Sequence, residues 1–211
     1  MENSRQIVNF YGSNKVLEFN DNLQLNKITE DGGKVSSSLH SGFSKIKVTA
    51  VDWSKGKAEN AVVASHNLDP AIAKMLMEKI IQGDISFFQT PVGKMTGYSE
   101  EKILSKTYEN GKNFVSKINI SYQPNMSNKW KIVLEEGEAE REVTADGKTI
   151  IKKGTYNSLK RVDVYTNDTN MLKAALTVRD YITNWETIAF PQFYKLRAAW
   201  EEKQRNNEQK Q

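Results

Sequence analysis

FSKIKVTAVDWSKGKAENAVVASHNLDPAIAKMLMEKIIQG, residues 43–83, runs through a strand, a turn, a second strand and a helix, and its reading decides the rest of the chain. In 43–53, Ile46, Val48 and Ala50 fall on one side and Lys45, Lys47, Thr49, Val51 and Trp53 on the other, the period of two of a half-buried strand. Ser54-Lys55-Gly56 supplies a turn, and 57–65 returns with Ala61, Val62 and Val63. The period then changes. Asp69 can cap a helix, and Pro70 at its first position has φ already set and no N–H to leave unpaired. Ile72, Leu76 and Ile80, with Ala73 and Met75 beside them, make an apolar stripe that stops at Gly83.

Upstream, Leu23, Leu25 and Ile28 mark a strand, Asp31-Gly32-Gly33 tolerates the positive φ of a turn, and 34–40 can return. Residues 22–83 therefore read as four strands and a helix, with 1–21 as a loose leader. Residues 84–100 read as a connector, anchored by Phe87 and Phe88 and broken by Pro91, Gly93 and Gly97. The same grammar then returns in 101–187. A strand at 102–108 meets Asn110-Gly111, read as a two-residue hairpin turn, and its partner carries Phe114, Ser116, Ile118, Ile120 and Tyr122 on one face.

Strands at 129–135 and 138–144 follow, then Asp146-Gly147 turns into 148–153, and 161–166 alternates Val162 and Val164 against Arg161, Asp163 and Tyr165. A helix capped within 167–169 carries Met171, Ala174, Ala175, Val178, Ile182 and Trp185 on its inner stripe. An offset of 99 residues sets Asp69 against Asp168, Ile72 against Met171 and Lys74 against Lys173. The expected class is α+β: duplicated antiparallel sheet-plus-helix units, ββββα repeated, forming one domain over 22–187. Pro191 is expected to open a separate last helix, 192–203, with Phe193, Leu196, Ala199 and Trp200 on one side, so that 188–211 forms a C-terminal helix and polar tail.

The chain has 211 residues, 38% hydrophobic and 27% charged, enough for a substantial core. A net charge of +4 is too small to announce a polyanionic partner by itself, so the distribution of charge must carry that argument. The absence of cysteine removes disulfides, thiolate metal sites and cysteine nucleophiles. No apolar run suits a signal peptide or a membrane span, and a soluble, cytoplasmic protein is expected.

Chemistry-bearing motifs are sparse. His40 and His66, the two histidines, have no metal-ligand or triad spacing, and no phosphate-binding glycine motif is present. No cofactor is expected. Glu135, Glu136, Glu138, Glu140 and Glu142 suit either a two-carboxylate site or a solvated strand that discourages edge pairing. Basic residues cluster in both units: Lys45, Lys47, Lys55 and Lys57 beside Trp53, then Lys129, Lys131, Lys148, Lys152, Lys153, Lys160 and Arg161 beside Tyr165. Cations neutralise phosphates, and flat rings such as Trp53, Phe43, Tyr156 or Tyr165 stack unpaired bases. Exposed lysines also keep an antiparallel sheet soluble. Trp130, between Lys129 and Lys131, is expected in the core, as is Trp185.

The order of elements resembles the Whirly and transcriptional-coactivator type of single-stranded DNA-binding proteins, whose unit is a four-stranded antiparallel sheet followed by a helix. Lys55-Gly56-Lys57-Ala58 is similar to the start of the Lys-Gly-Lys-Ala-Ala-Leu segment of plant Whirly proteins, and departs from it at Glu59-Asn60. The resemblance implies binding of single strands with little sequence preference, and assembly into homo-oligomers. The expectation is thus a non-enzymatic single-stranded DNA-binding protein, of a type encoded by a phage or mobile element and serving replication, recombination or transfer, with RNA left open as a ligand. The alternative is a scaffold that oligomerises through sheet edges and its last helix.

Overall fold

The computed structural model describes residues 5–26, 38–89, 91–92 and 95–208. It is an α+β protein of antiparallel sheets ending in a long helix. The first sheet is a meander of β1 (Gln6–Tyr11), β2 (Lys15–Asn22), β3 (Lys45–Asp52) and β4 (Val62–Leu68), paired in chain order. Helix α1 (Pro70–Ile81) follows, with the Asp69 carboxylate accepting from the Ala71 N–H at 3.0 Å, as the Asp-Pro pair led us to expect. A short helix, α2 (Ile85–Gln89), and the two-residue strands β5 (Pro91–Val92) and β6 (Met95–Thr96) lead on.

The second sheet combines β7 (Tyr98–Thr107), β8 (Asn113–Tyr122), β9 (Trp130–Ala139) and β12 (Asn157–Thr166) in the order β12-β9-β8-β7. The hairpin of β10 (Arg141–Val143) and β11 (Thr149–Ile151) is inserted between β9 and β12. The last element is α3, Asp168–Glu208, one helix of 41 residues. None of the described helices is long and apolar enough to cross a membrane.

Several boundaries differ from the sequence reading: β4 begins at Val62 rather than at 57, β7 at Tyr98 rather than at 102, and β12 at Asn157 rather than at 161, and four differences are larger. Within 1–21, read as a leader, the chain from Gln6 onward forms the hairpin β1–β2, whose Leu17 and Phe19 are buried in the core. Of the hairpin expected at 23–40, the described part is an isolated bridge between Leu25 and His40, and 27–37 lie outside the described residues. The strands expected at 129–135 and 138–144 meet in β9, which runs unbroken to Ala139 and leaves β10 as a short separate strand. The break expected at Pro191 does not occur. Residues 186–190 hold no glycine and continue the helix, so Pro191 sits inside α3 and gives up one backbone bond.

Both loops marked by Asn110-Gly111 and Asp146-Gly147 are longer than two residues. Tyr108 pairs with Lys112, and Thr144 with Lys148, across three-residue loops whose glycines sit at φ +78° and +79°.

One core serves both sheets and both long helices. Leu17, Phe19, Ile46, Val48, Ala50, Ala64 and Leu68 come from the first sheet, and Ile118, Ile120, Trp130, Ile132, Leu134, Val162 and Val164 from the second. Ala73, Leu76, Met77 and Ile80 of α1 meet Met171, Ala174, Ala175, Val178 and Ile182 of α3 within the same cluster. Phe88 fulfils its expected anchoring role, packing edge-on to Trp130 at 4.9 Å. The Trp130 indole N–H donates to Asp168 at 3.0 Å, tying β9 to the first turn of α3.

Strand β4 touches β12, β9 and β8, so it crosses the second sheet rather than running along one of its strands. Its unpaired edge is closed by side chains from that sheet. Glu136 accepts from the Ser65 N–H at 2.8 Å and the Ser65 hydroxyl at 2.9 Å, and Lys102 donates to the Asn67 carbonyl. These bonds satisfy backbone groups that would otherwise invite another strand.

Candidate nucleic-acid interface

The alternation of β3 is as the sequence required: Ile46, Val48 and Ala50 are buried, whereas Lys47 is exposed and Lys45 half-buried on the opposite face. Cross-strand pairing extends that outer face as rows, Asn20–Lys47–Asn67, Glu18–Thr49–Ser65 and Tyr11–Val16–Val51–Val63. Tyr11 is 67% exposed. Trp53, next in the alternation and half-buried, is held by its backbone N–H donating to the Asn14 carbonyl at 2.9 Å. Lys47 and Trp53 are six residues apart, about 20 Å along an extended strand.

Lys55-Gly56-Lys57-Ala58 forms the tip beyond Trp53. Gly56 has φ +128° and Ala58 has φ +54°, a conformation that alanine adopts at a cost. The Ser54 N–H donates to Asp52 at 2.8 Å and the Gly56 N–H to Trp53 at 3.0 Å, and the short 3₁₀ helix Ala58–Asn60 closes the turn. The result leaves the Lys55 and Lys57 side chains exposed. Among the described residues, Lys47, Lys55 and Lys57 have no carboxylate within ion-pair distance, and Lys45 donates to the Gly42 carbonyl with Asp69 3.9 Å away.

The second sheet treats its cations differently. On its outer face, Arg161 meets Glu135 at 2.6 Å and Asp163 at 2.8 Å, Lys131 meets Asp163 at 3.1 Å, and Lys117 meets Glu101 at 3.1 Å. Three cations against three carboxylates leave that lattice balanced. Burial alone would raise the Asp163 carboxyl, but hydrogen bonds from Arg161 and Lys131 outweigh it and hold it below its ordinary range. Burial and then the Glu135 charge push the Tyr156 phenol up to about 12, keeping it a donor to Glu135 at 3.1 Å. Lys160 pairs with Glu136, Lys129 with Asp168, Lys152 with Glu140 and Lys148 with Asp146. Lys153 is exposed at the end of the β10–β11 hairpin with no such partner among the described residues.

Tyr165, directly opposite Lys131, is 40% exposed with the Lys131 ammonium 5.5 Å from its ring centre. It lines a cleft of about 290 Å³ between the β1–β2 turn and β12, which also takes in Ser54, the residue after Trp53. The structure thus brings Trp53 and Lys55 of the first sheet close to the Tyr165 end of the second.

The glutamates form no metal cage: among the described residues no group of three or more His, Asp and Glu is arranged to hold an ion. Glu138 is bonded instead to Asn110 at 2.8 Å and lies 3.3 Å from Lys112. One constellation has no signal in the sequence. His66 Nδ1 lies 3.1 Å from the Ser116 hydroxyl, and Nε2 lies 3.3 Å from Glu100, which also accepts from Tyr98 at 2.9 Å and pairs with Lys102 at 3.1 Å. These are the residue types of a hydrolytic relay, but His66 and Ser116 are 1% and 6% exposed, so the hydroxyl is closed to a substrate. The cluster clasps β4 to β7 and β8.

His40 works similarly at the other end, 3.0 Å from both Ser44 and Glu186 and stacked on Trp185. Comparison with known proteins adds no relative. No protein-family model, curated protein or solved structure matches this chain.

Proposed function

We propose that the chain is a non-enzymatic single-stranded DNA-binding protein with little sequence preference, built as a duplicated sheet-plus-helix fold of the Whirly type. The observation that carries the reading is Lys47, Lys55 and Lys57, exposed and without carboxylate partners among the described residues, with Lys47 on the face that carries Tyr11 and the other two in the turn that follows Trp53. Unpaired cations are free to neutralise phosphates, and the rings beside them offer stacking surfaces that any base can use. The succession of four strands and a helix, followed by four strands with an inserted hairpin and a second helix, supports the duplication. Within this reading the first sheet binds the strand, and the ion-paired face of the second contributes mainly stability.

A second reading is a self-assembling scaffold, favoured by Ile188, Phe190, Tyr194 and Leu196, which are exposed on the later part of α3. Measuring particle size with and without an oligo-dT separates the two. The DNA-binding reading expects the oligonucleotide to co-migrate with the protein. A defined oligomer that ignores the oligonucleotide and dissociates on truncation after Ala189 would favour the scaffold.

A further inference from the structure

The cleft beside Tyr165 has a chemistry distinct from the lysine-bearing face. Its volume, about 290 Å³, lies at the small end of ligand pockets, roughly 300 Å³ and upward, and suits one planar ring rather than a folded partner. Tyr165 stands at its lining with the neutral hydroxyl and amide residues Ser13, Asn14, Ser54 and Asn128, and the one carboxylate there, Asp163, is already paired with Arg161 and Lys131. Among the described residues the one cation lining it, Lys15, is already occupied, 3.1 Å from Asp52 and donating to the Asp163 carbonyl at 2.9 Å. The lining therefore has no free positive charge to offer a phosphate. Free cations stand just outside, at Lys55 and Lys57 beyond Ser54.

Resting on the nucleic-acid reading above, we infer that this cleft seats one unpaired base, stacked on Tyr165 with its polar edge toward the serine and asparagine side chains. The flanking phosphates lie outside, toward Lys55 and Lys57. The strand then passes from the outer face of the first sheet over the Trp53 turn, and the second sheet contributes a stacking residue rather than charge.

The test compares binding of oligo-dT with binding of an abasic strand of equal length, using the full chain and its Tyr165→Ala, Tyr165→Phe and Asn128→Ala variants. Tyr165→Ala is expected to weaken oligo-dT binding roughly tenfold, the size of one lost stack. It leaves abasic binding and the salt slope unchanged. Tyr165→Phe keeps wild-type affinity, and Asn128→Ala loses affinity for oligo-dT alone. Equal oligo-dT binding by wild type and Tyr165→Ala would overturn the base seat while leaving the DNA-binding reading intact, as would equal losses on both strands. Failure of the wild-type protein to bind either strand would overturn both.

Discussion

Glu100→Gln is expected to cost about 3 kcal/mol of stability at neutral pH and to remove part of the protein's sensitivity to acid. Burial would by itself raise the Glu100 carboxyl, but hydrogen bonds from His66 and Tyr98, together with Lys102, hold it at about 2 against an ordinary 4.5. A depressed carboxyl stabilises the fold at pH above its unfolded value, and that stabilisation disappears as pH falls from 4.5 toward 2. A gap of this size corresponds to roughly 3 kcal/mol. Because Glu100 joins β7 to His66 of β4, the loss falls on the junction of the two sheets. Urea denaturation of wild type and Glu100→Gln at pH 7 and pH 3 measures it: the difference between the two proteins narrows at the lower pH. A difference of equal size at both values would show that Glu100 is not held as a paired carboxylate.

The second large effect concerns binding. Lys47→Ala, Lys55→Ala and Lys57→Ala together are expected to lower the slope of log affinity against log salt for oligo-dT by about 2, since each phosphate contact on a single strand contributes about 0.7. The fold is expected to survive, because all three side chains are exposed and outside the ion-pair lattice. Lys152→Ala is the matched control. Lys152 is paired with Glu140 at 2.7 Å on the β10–β11 side, and its loss is expected to leave the slope nearly unchanged. A triple variant with the wild-type slope would remove these lysines from the interface.

How much of this was legible in the sequence depends on the range of the signal. The face of β3 was readable, because strict alternation from Lys45 to Trp53 needs only neighbouring residues. So were the Asp69 cap and the turn glycines Gly111 and Gly147, each a local conformational requirement. The β1–β2 hairpin was hidden because Val16 and Leu17 are both buried although adjacent, which breaks the period of two. Pro191 gave a valid local signal for a helix start that the long run of helix-compatible residues around it overrode.

The candidate site was less legible, because its decisive feature is pairing. Arg161 lies opposite Glu135 and Lys160 opposite Glu136, partnerships fixed by the β9–β12 register between residues 26 and 24 positions apart in the chain. From the sequence, paired Arg161 and Lys47, which has no carboxylate partner among the described residues, look equally basic. The His66–Glu100–Ser116 clasp is equally silent, since crosswise sheet packing brings the three together from β4, β7 and β8.

The most direct measurement is the affinity of the folded wild-type protein for oligo-dT across a salt series. Single-stranded DNA is expected to bind, with affinity falling steeply and linearly in log–log form as salt rises. Absent or salt-insensitive binding by correctly folded protein would contradict the DNA-binding reading.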